Sequence, residues 1–116
     1  MNNIEEFNYI NKLYDLYKSI LTKKQASLIE KYYLLNLSLS EISEELNISR
    51  SAVSDAVKNA REKLENYEDK LHILSKNEKI KEILKNSNID EDIKKKILEV
   101  LYYGIWKFNW KIFQNC

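Results

Sequence analysis

The sequence contains no proline, one glycine and one cysteine among 116 residues. Proline and glycine interrupt helices, whereas the abundant Lys, Glu, Leu and Ile are compatible with them, so an all-α protein is expected. A single glycine excludes a glycine-rich phosphate-binding loop. The lone Cys116 has no partner for an internal disulfide, which favours a reducing, cytoplasmic location.

Residues that commonly carry catalysis are also scarce. His72 is the only histidine, and no His, Cys, Asp or Glu spacing is typical of a metal site. No stretch reaches the ~18 apolar residues of a transmembrane helix. The first residues lack the basic start and apolar run of a signal peptide. We therefore expect a cytoplasmic protein that is not an enzyme and uses no cofactor or metal.

Residues 38–64, SLSEISEELNISRSAVSDAVKNAREKL, predict a helix-turn-helix. Ser38 and Glu41 form a capping-box pattern that begins a helix ending near Leu46, followed by a turn at Asn47-Ile48. Ser49 is the predicted cap of the second helix, with Ile48 packed on Val53 across it. The side chains expected to face inward are Ile42, Leu46, Ile48, Val53 and Val57.

Residues 21–64 resemble region 4 of bacterial sigma factors, through an "LT-x-x-Q" start, an "S-x-x-E-I" helix and an "L-x-I-S-R-x-x-V" turn. Tyr32-Tyr33-Leu34, SRSAVSDAVK and NYEDKLHIL narrow the resemblance to the small YlxM-like proteins, over roughly residues 7–101. The genes of that group lie beside the gene for the GTPase of the signal recognition particle. The resemblance implies an accessory or regulatory role in that pathway, with the particle's RNA and GTPase as partners.

Helical patterns extend on both sides of this motif, so the expected fold is an all-α bundle with a long recognition helix and two C-terminal helices. We expect one helical domain over 1–101 and a separate aromatic tail over 102–116. Capping patterns at Thr22 with Gln25, at Asn77 and at Asp90 mark further helix starts. The predicted helices are Ile4–Leu21, 22–35, Arg50–Ser75 (~39 Å long), Glu78–Lys85 and Glu91–Leu101.

An apolar stripe with heptad spacing runs along the long helix from Val53 to Leu74. It either packs against the other helices of the same chain or meets a second subunit as in a coiled coil. We predict a homodimer in which the later part of the stripe forms the interface. Those interface residues are Leu64, Tyr67, Leu71 and Leu74.

Nucleic-acid contact is expected at the start of the second helix of the motif, where base edges and phosphates are reached. Arg50 and Lys58 suit phosphate or guanine, and Asp55 accepts only from a cytosine amine. Residues 38–72 carry five Lys or Arg against eight acids, a net −3, so this segment is a poor general DNA binder. The candidate contacts are Ser49, Arg50, Ser51, Ser54, Asp55, Lys58 and Arg61.

Three alternatives remain open at this point. DNA binding as a dimer would make the protein a transcription regulator. Binding of RNA by shape and phosphates would favour the lysines of the carboxyl half, which are Lys76, Lys79, Lys81, Lys85, Lys94, Lys95 and Lys96. In a pure protein-interaction module the acidic face would meet a partner protein. The tail, in which Trp106, Phe108 and Trp110 alternate with lysine and asparagine, is expected to wrap on the domain or a sister subunit, with membrane-surface contact as its alternative.

Overall fold

The computed structural model describes residues 3–101, and the predicted aromatic tail at 102–116 lies outside them. The described part is helical and contains no strand, so the predicted all-α fold with a long recognition helix is confirmed. The elements are α1 (Asn3–Tyr17), a 3-10 turn (Lys18–Ile20), α2 (Lys23–Ile29) with a π-helical turn (Glu30–Leu34), α3 (Leu39–Leu46), α4 (Arg50–Leu71), α5 (Ile73–Lys85) and α6 (91–101).

The chain divides into two compact units, Met1–Leu74 and Ser75–Cys116. The first unit contains the helix-turn-helix, and the described part of the second is residues 75–101. The expectation of one helical domain over 1–101 stays a prediction.

Side-chain caps explain where the helices of the first unit begin. The Thr22 hydroxyl accepts the Gln25 N–H at 3.1 Å, and the Gln25 side chain accepts the Thr22 N–H at 3.1 Å. Ser38 and Glu41 make the same reciprocal pair at 3.0 and 3.1 Å. Each box satisfies donors that have no partner inside the helix. Both predicted capping boxes are confirmed.

The core of the first unit is formed by one face each of α1, α2, α3 and α4. From α4 it takes a stripe that includes Val53, Val57 and Leu64, so this part of the heptad pattern packs within the chain. Burial of these side chains is the main force that holds the four helices together. The buried set is Ile10, Leu13, Tyr14, Tyr17, Leu28, Ile29, Tyr33, Ile42, Val53, Val57, Ala60, Leu64 and Leu74.

The first two helices differ in detail from the sequence-based expectation. The α-helix expected to reach Leu21 ends at Tyr17 and tightens into the 3-10 turn. The helix expected to reach Leu35 widens at its end into the π turn, where the Leu35 N–H donates to the Glu30 carbonyl at 2.8 Å. The Asn11 side-chain amide donates to the Tyr33 carbonyl within this turn at 3.0 Å.

The predicted helix from Arg50 to Ser75 is wrong at its end, because α4 stops at Leu71. His72 follows in the left-handed conformation (φ 56°, ψ 29°), and α5 begins at once with Ile73. Asn77 is therefore not an N-cap but a buried residue inside α5, whose side-chain amide donates to the Leu101 carbonyl at 3.3 Å. Asp90 does precede α6, and its carboxylate accepts the Asp92 N–H at 3.4 Å.

Candidate nucleic-acid interface

The turn between α3 and α4 is closed by hydrogen bonds on both sides of Asn47, which takes the left-handed conformation (φ 55°). The Ile48 N–H donates to the Ser43 carbonyl at 3.2 Å, and the Ser43 hydroxyl donates to the Ile48 carbonyl at 2.8 Å. The Ser49 hydroxyl then accepts the Ala52 N–H at 3.0 Å and starts α4. These contacts are those expected of a short helix-turn-helix connection.

Three of the five side chains expected to face inward do so. Ile42 and Val53 are fully buried and Val57 is 4% exposed. Leu46 and Ile48 were predicted wrongly, since they are 40% and 42% exposed and lie outside the core cluster. They flank the left-handed residue of the turn, where the chain reverses at the edge of the core, so a purely helical spacing does not place them.

The first two turns of α4 present polar side chains to solvent. Ser49, Arg50, Ser51, Ser54 and Asp55 are exposed. Lys58 is a further predicted contact. Its side chain is 62% exposed, and its Nζ lies 4.0 Å from Oε1 of Glu62. At that separation and exposure the ion pair contributes little and leaves the ammonium accessible. Six of the seven predicted contact residues therefore share one accessible end of α4.

Arg61 is placed differently from the other predicted contacts. Its Nε donates to Glu65 at 3.1 Å, and its Nη1 donates to the Tyr33 hydroxyl at 3.2 Å and lies 3.7 Å from Glu6. The side chain is 29% exposed. The hydrogen bond that the guanidinium donates to Tyr33, and the negative charges of Glu65 and Glu6, raise the pKa of Arg61. Arg61 thus connects α4 to α1 and to the π turn and is occupied by partners of the chain itself.

The surface around the turn is acidic. Between Ser38 and Ala60 the only cations are Arg50 and Lys58, against four acids. Of those acids, Glu45 is paired with Lys31 at 2.8 Å, and Glu41 caps its own helix. Glu44 and Asp55 are exposed. Any phosphate backbone that approaches α4 therefore meets two cations beside uncompensated carboxylates.

The four residues predicted as a dimer interface separate into two pairs. Leu64 is fully buried and Leu74 is 7% exposed, and both belong to the core of the chain itself. Tyr67 and Leu71 are 37% and 47% exposed. A second subunit has access only to the latter pair, and the dimer remains a prediction that rests on it.

Glu68 is a buried residue of this region that the sequence reasoning missed. It is 6% exposed and accepts the Tyr17 hydroxyl at 2.7 Å and the Leu74 N–H at 2.9 Å. Burial and the hydrogen bond to this carboxylate raise the pKa of Tyr17 to about 12. Its position four residues after Leu64 places it on the buried face of α4, and this spacing is a signal by which it could have been found.

Residues 3–101 contain neither a candidate metal site nor a candidate membrane span. Within 3–101, no group of His, Cys, Asp or Glu side chains is arranged to hold a metal ion. No helix in that range combines the length and the apolar character needed to cross a membrane.

Two helices joined by a left-handed turn, with the second helix capped by serine and exposed along its first turns, define a helix-turn-helix protein. The family UPF0122, described as "Putative helix-turn-helix protein, YlxM / p13 like", matches residues 4–102, and the chain belongs to this family. The resemblance to YlxM-like proteins is thereby confirmed.

Relatives in several bacteria support this assignment. UPF0122 protein YofM of Lactococcus lactis subsp. lactis is 42% identical over 101 residues, which cover 84% of this chain and 91% of the relative. A UPF0122 protein of Bacillus mycoides is 41% identical over 99 residues, covering 78% and 90% of the two chains. One from Halalkalibacterium halodurans is 49% identical over 75 residues, covering 65% and 69%.

Proposed function

We propose that the protein is a non-enzymatic nucleic-acid-binding protein that contacts DNA or RNA through the first two turns of α4. One observation carries the proposal: Arg50, Ser51, Ser54 and Lys58 are exposed together on a helix whose opposite face is buried. In helix-turn-helix proteins, residues in these turns reach base edges, while flanking polar groups hold phosphates.

The small number of cations limits how this surface binds. Each neutralised phosphate contributes about −0.9 to the slope of log affinity against log salt concentration on duplex DNA. Arg50 and Lys58 would then give a slope of about −2 for each copy of the chain. Asp55 repels phosphate and accepts from a cytosine amine, so it adds selectivity rather than affinity. We therefore propose selective binding with little general affinity.

The finer part of the proposal is an accessory or regulatory role in the signal recognition particle pathway, in the cytoplasm. It rests on the resemblance to the YlxM-like group, and its implied partners are the particle's RNA and its GTPase. The single cysteine of the sequence supports the reducing compartment.

Capture of the tagged protein from its own cells tests the pathway. Lysates are divided and treated with ribonuclease, with deoxyribonuclease or with neither, and the co-purifying molecules are identified. Recovery of the particle's RNA, or of its GTPase in a ribonuclease-sensitive manner, supports the pathway role. Recovery of defined DNA fragments alone contradicts it and leaves a DNA-binding protein.

Substitution tests the surface itself. The double variant Arg50→Ala/Lys58→Ala is expected to weaken binding of the captured nucleic acid at least tenfold. Its matched control is Lys18→Ala/Lys70→Ala, which removes two exposed cations elsewhere on the first unit and is expected to change affinity less than threefold. Equal losses in both variants would mean that net charge, and not the α4 surface, determines binding.

A dimeric DNA-binding transcription regulator is the second candidate function. The observation that favours it is the exposure of Tyr67 and Leu71, two apolar residues four positions apart on α4. Tyr67→Ser/Leu71→Ser is expected to convert a dimer to a monomer in sedimentation experiments and to weaken binding to a two-fold symmetric site. A wild-type chain that sediments as a monomer at all concentrations removes this candidate.

A further inference from the structure

At the junction between α4 and α5 the backbone departs from what the local sequence favours. A single residue, His72, separates the two helices, in a left-handed conformation that disfavours side chains with a Cβ atom. No glycine or proline occurs between residues 38 and 101. The local sequence alone would therefore allow an uninterrupted helix through this point.

The apolar pattern, in contrast, changes phase at the junction. The stripe runs along α4 to Leu71 and reaches Leu74 in α5, and its continuation at heptad spacing would fall on positions 78, 81 and 85. The buried residues of α5 after Leu74 are instead Asn77 and Leu84, each one residue earlier. The buried pattern therefore shifts by one residue after the junction, whereas the local backbone preference favours continuity.

Two side chains compensate the backbone groups that the break exposes. In an uninterrupted helix the N–H groups of Ile73 and Leu74 would donate to carbonyls four residues earlier. Here the Leu74 N–H donates to the Glu68 carboxylate at 2.9 Å, and the Ile73 N–H donates to the Tyr17 hydroxyl at 3.3 Å. The Tyr17 hydroxyl in turn donates to the same Glu68 oxygen at 2.7 Å.

We propose that Tyr17 and Glu68 form a latch that holds His72 in the left-handed conformation, and that opening the latch lets His72 become helical. Tyr17 lies at the end of α1, so the latch fixes the end of α4 against the end of that helix. The proposal concerns a conformational device and does not depend on nucleic-acid binding.

Nuclear magnetic resonance tests the latch through the backbone of His72, because Cα shifts and HN–Hα couplings distinguish left-handed from helical residues. In the wild-type chain His72 is expected to report the left-handed form. In Tyr17→Phe the ratio of helical to left-handed His72 is expected to rise at least tenfold, with medium-range contacts that run from Asp69 through Ile73. Glu68→Gln keeps the accepting oxygen and is expected to retain the break.

Tyr14→Phe is the matched control for Tyr17→Phe. Tyr14 is equally buried, and its hydroxyl also donates to a carboxylate, that of Glu30 at 2.8 Å, whereas the side-chain hydrogen bonds described at Ile73 and Leu74 come from Tyr17 and Glu68. This variant is expected to leave His72 left-handed. Unchanged resonances of Ile42 and Val53 verify that each variant is folded.

Two results would overturn the proposal. One is a left-handed His72 in Tyr17→Phe and also in Tyr17→Phe/Glu68→Ala, which would mean that packing alone maintains the break. The other is a loss of structure at residues 72–74 in place of a helix, which would mean that His72 has no helical alternative.

Discussion

The two arginines of the chain, Arg50 and Arg61, lie in opposite environments on the same helix. They are eleven residues apart, about three turns, and so point in nearly the same direction from the α4 axis. Arg50 is exposed, whereas Arg61 is held by Tyr33, Glu6 and Glu65. The difference arises from what lies beside each one: α1 and the π turn accompany the second half of α4 and leave its first turns uncovered. Residue type alone therefore does not identify a contact residue on a helix, and the two halves of α4 are expected to respond differently to substitution.

The largest effect is expected in the buried half. Leu64→Ala removes a fully buried side chain from the core and should lower the free energy of unfolding by about 2–5 kcal/mol. Because Leu64 packs inside its own chain, this loss should not depend on protein concentration. Chemical denaturation at two or more concentrations checks it. A loss that grows on dilution would instead place Leu64 between subunits.

Alkaline pH is expected to destabilise the core into which the buried half of α4 packs. The pKa values of Tyr14 and Tyr17 are both raised to about 12, by burial first and then by hydrogen bonds to Glu30 and Glu68. The unfolded chain loses these protons near pH 10, so the stabilisation is complete below pH 10 and is lost as the pH rises towards 12. Each hydroxyl should contribute a loss of about 2–3 kcal/mol, at about 1.4 kcal/mol per pKa unit.

Denaturation curves between pH 8 and pH 12 measure this loss, with about one curve for every half pH unit. Tyr14→Phe/Tyr17→Phe removes both groups and should flatten the alkaline part of the profile. A variant profile as steep as that of the wild-type chain would assign the pH dependence to other groups.

Replacing each arginine by methionine tests whether the two halves of α4 respond differently. Arg61→Met should lower the free energy of unfolding by about 1–3 kcal/mol, since it leaves the Tyr33 hydroxyl and Glu65 without their hydrogen-bond donor and Glu6 without its ion-pair partner. Arg50→Met should change stability by less than about 0.5 kcal/mol and weaken nucleic-acid binding. Thermal denaturation and a binding titration of both variants measure this. A strong loss of affinity with unchanged stability in Arg61→Met would reverse the assignment.

The smallest effect is expected at the boundary of the exposed half. Ser49→Ala removes the hydroxyl that accepts the Ala52 N–H and should cost about 1 kcal/mol. Ser51→Ala is its control, because the neighbouring exposed serine caps nothing in the described hydrogen bonds and should be neutral to stability. Equal stability of both variants would show that the start of α4 does not depend on its cap.

The sequence predicted features that depend on neighbouring residues and missed those that depend on distant ones. The partners in the capping pairs at Thr22 and Ser38 are three positions apart in the sequence, and both pairs were placed correctly. The end of α4 was misplaced because Glu68 is fixed by Tyr17, 51 positions earlier. The spacing from Leu64 marks Glu68 as lying on the buried face of α4, but it does not reveal that Tyr17 is its partner.

The candidate site shows the same limit. The exposed start of α4 follows from the cap and the apolar stripe, and Arg50 and Lys58 were assigned from that pattern. Arg61 satisfies the same pattern, but it is partly buried and engaged by Tyr33, 28 positions away, and by Glu6 and Glu65. The sequence predicts where the recognition helix begins, but it does not show which part of that helix the rest of the fold covers.

The π turn at the end of α2 has a consequence for the evolution of the chain. Its hydrogen bond from Leu35 to Glu30 spans one residue more than an α-helical bond, so the segment holds one residue beyond what its length requires. The capping boxes on either side, at Thr22 and Ser38, specify their helices independently of that residue. Segment 30–34 is thus where we expect homologous chains to gain or lose a single residue while the helix-turn-helix keeps its form.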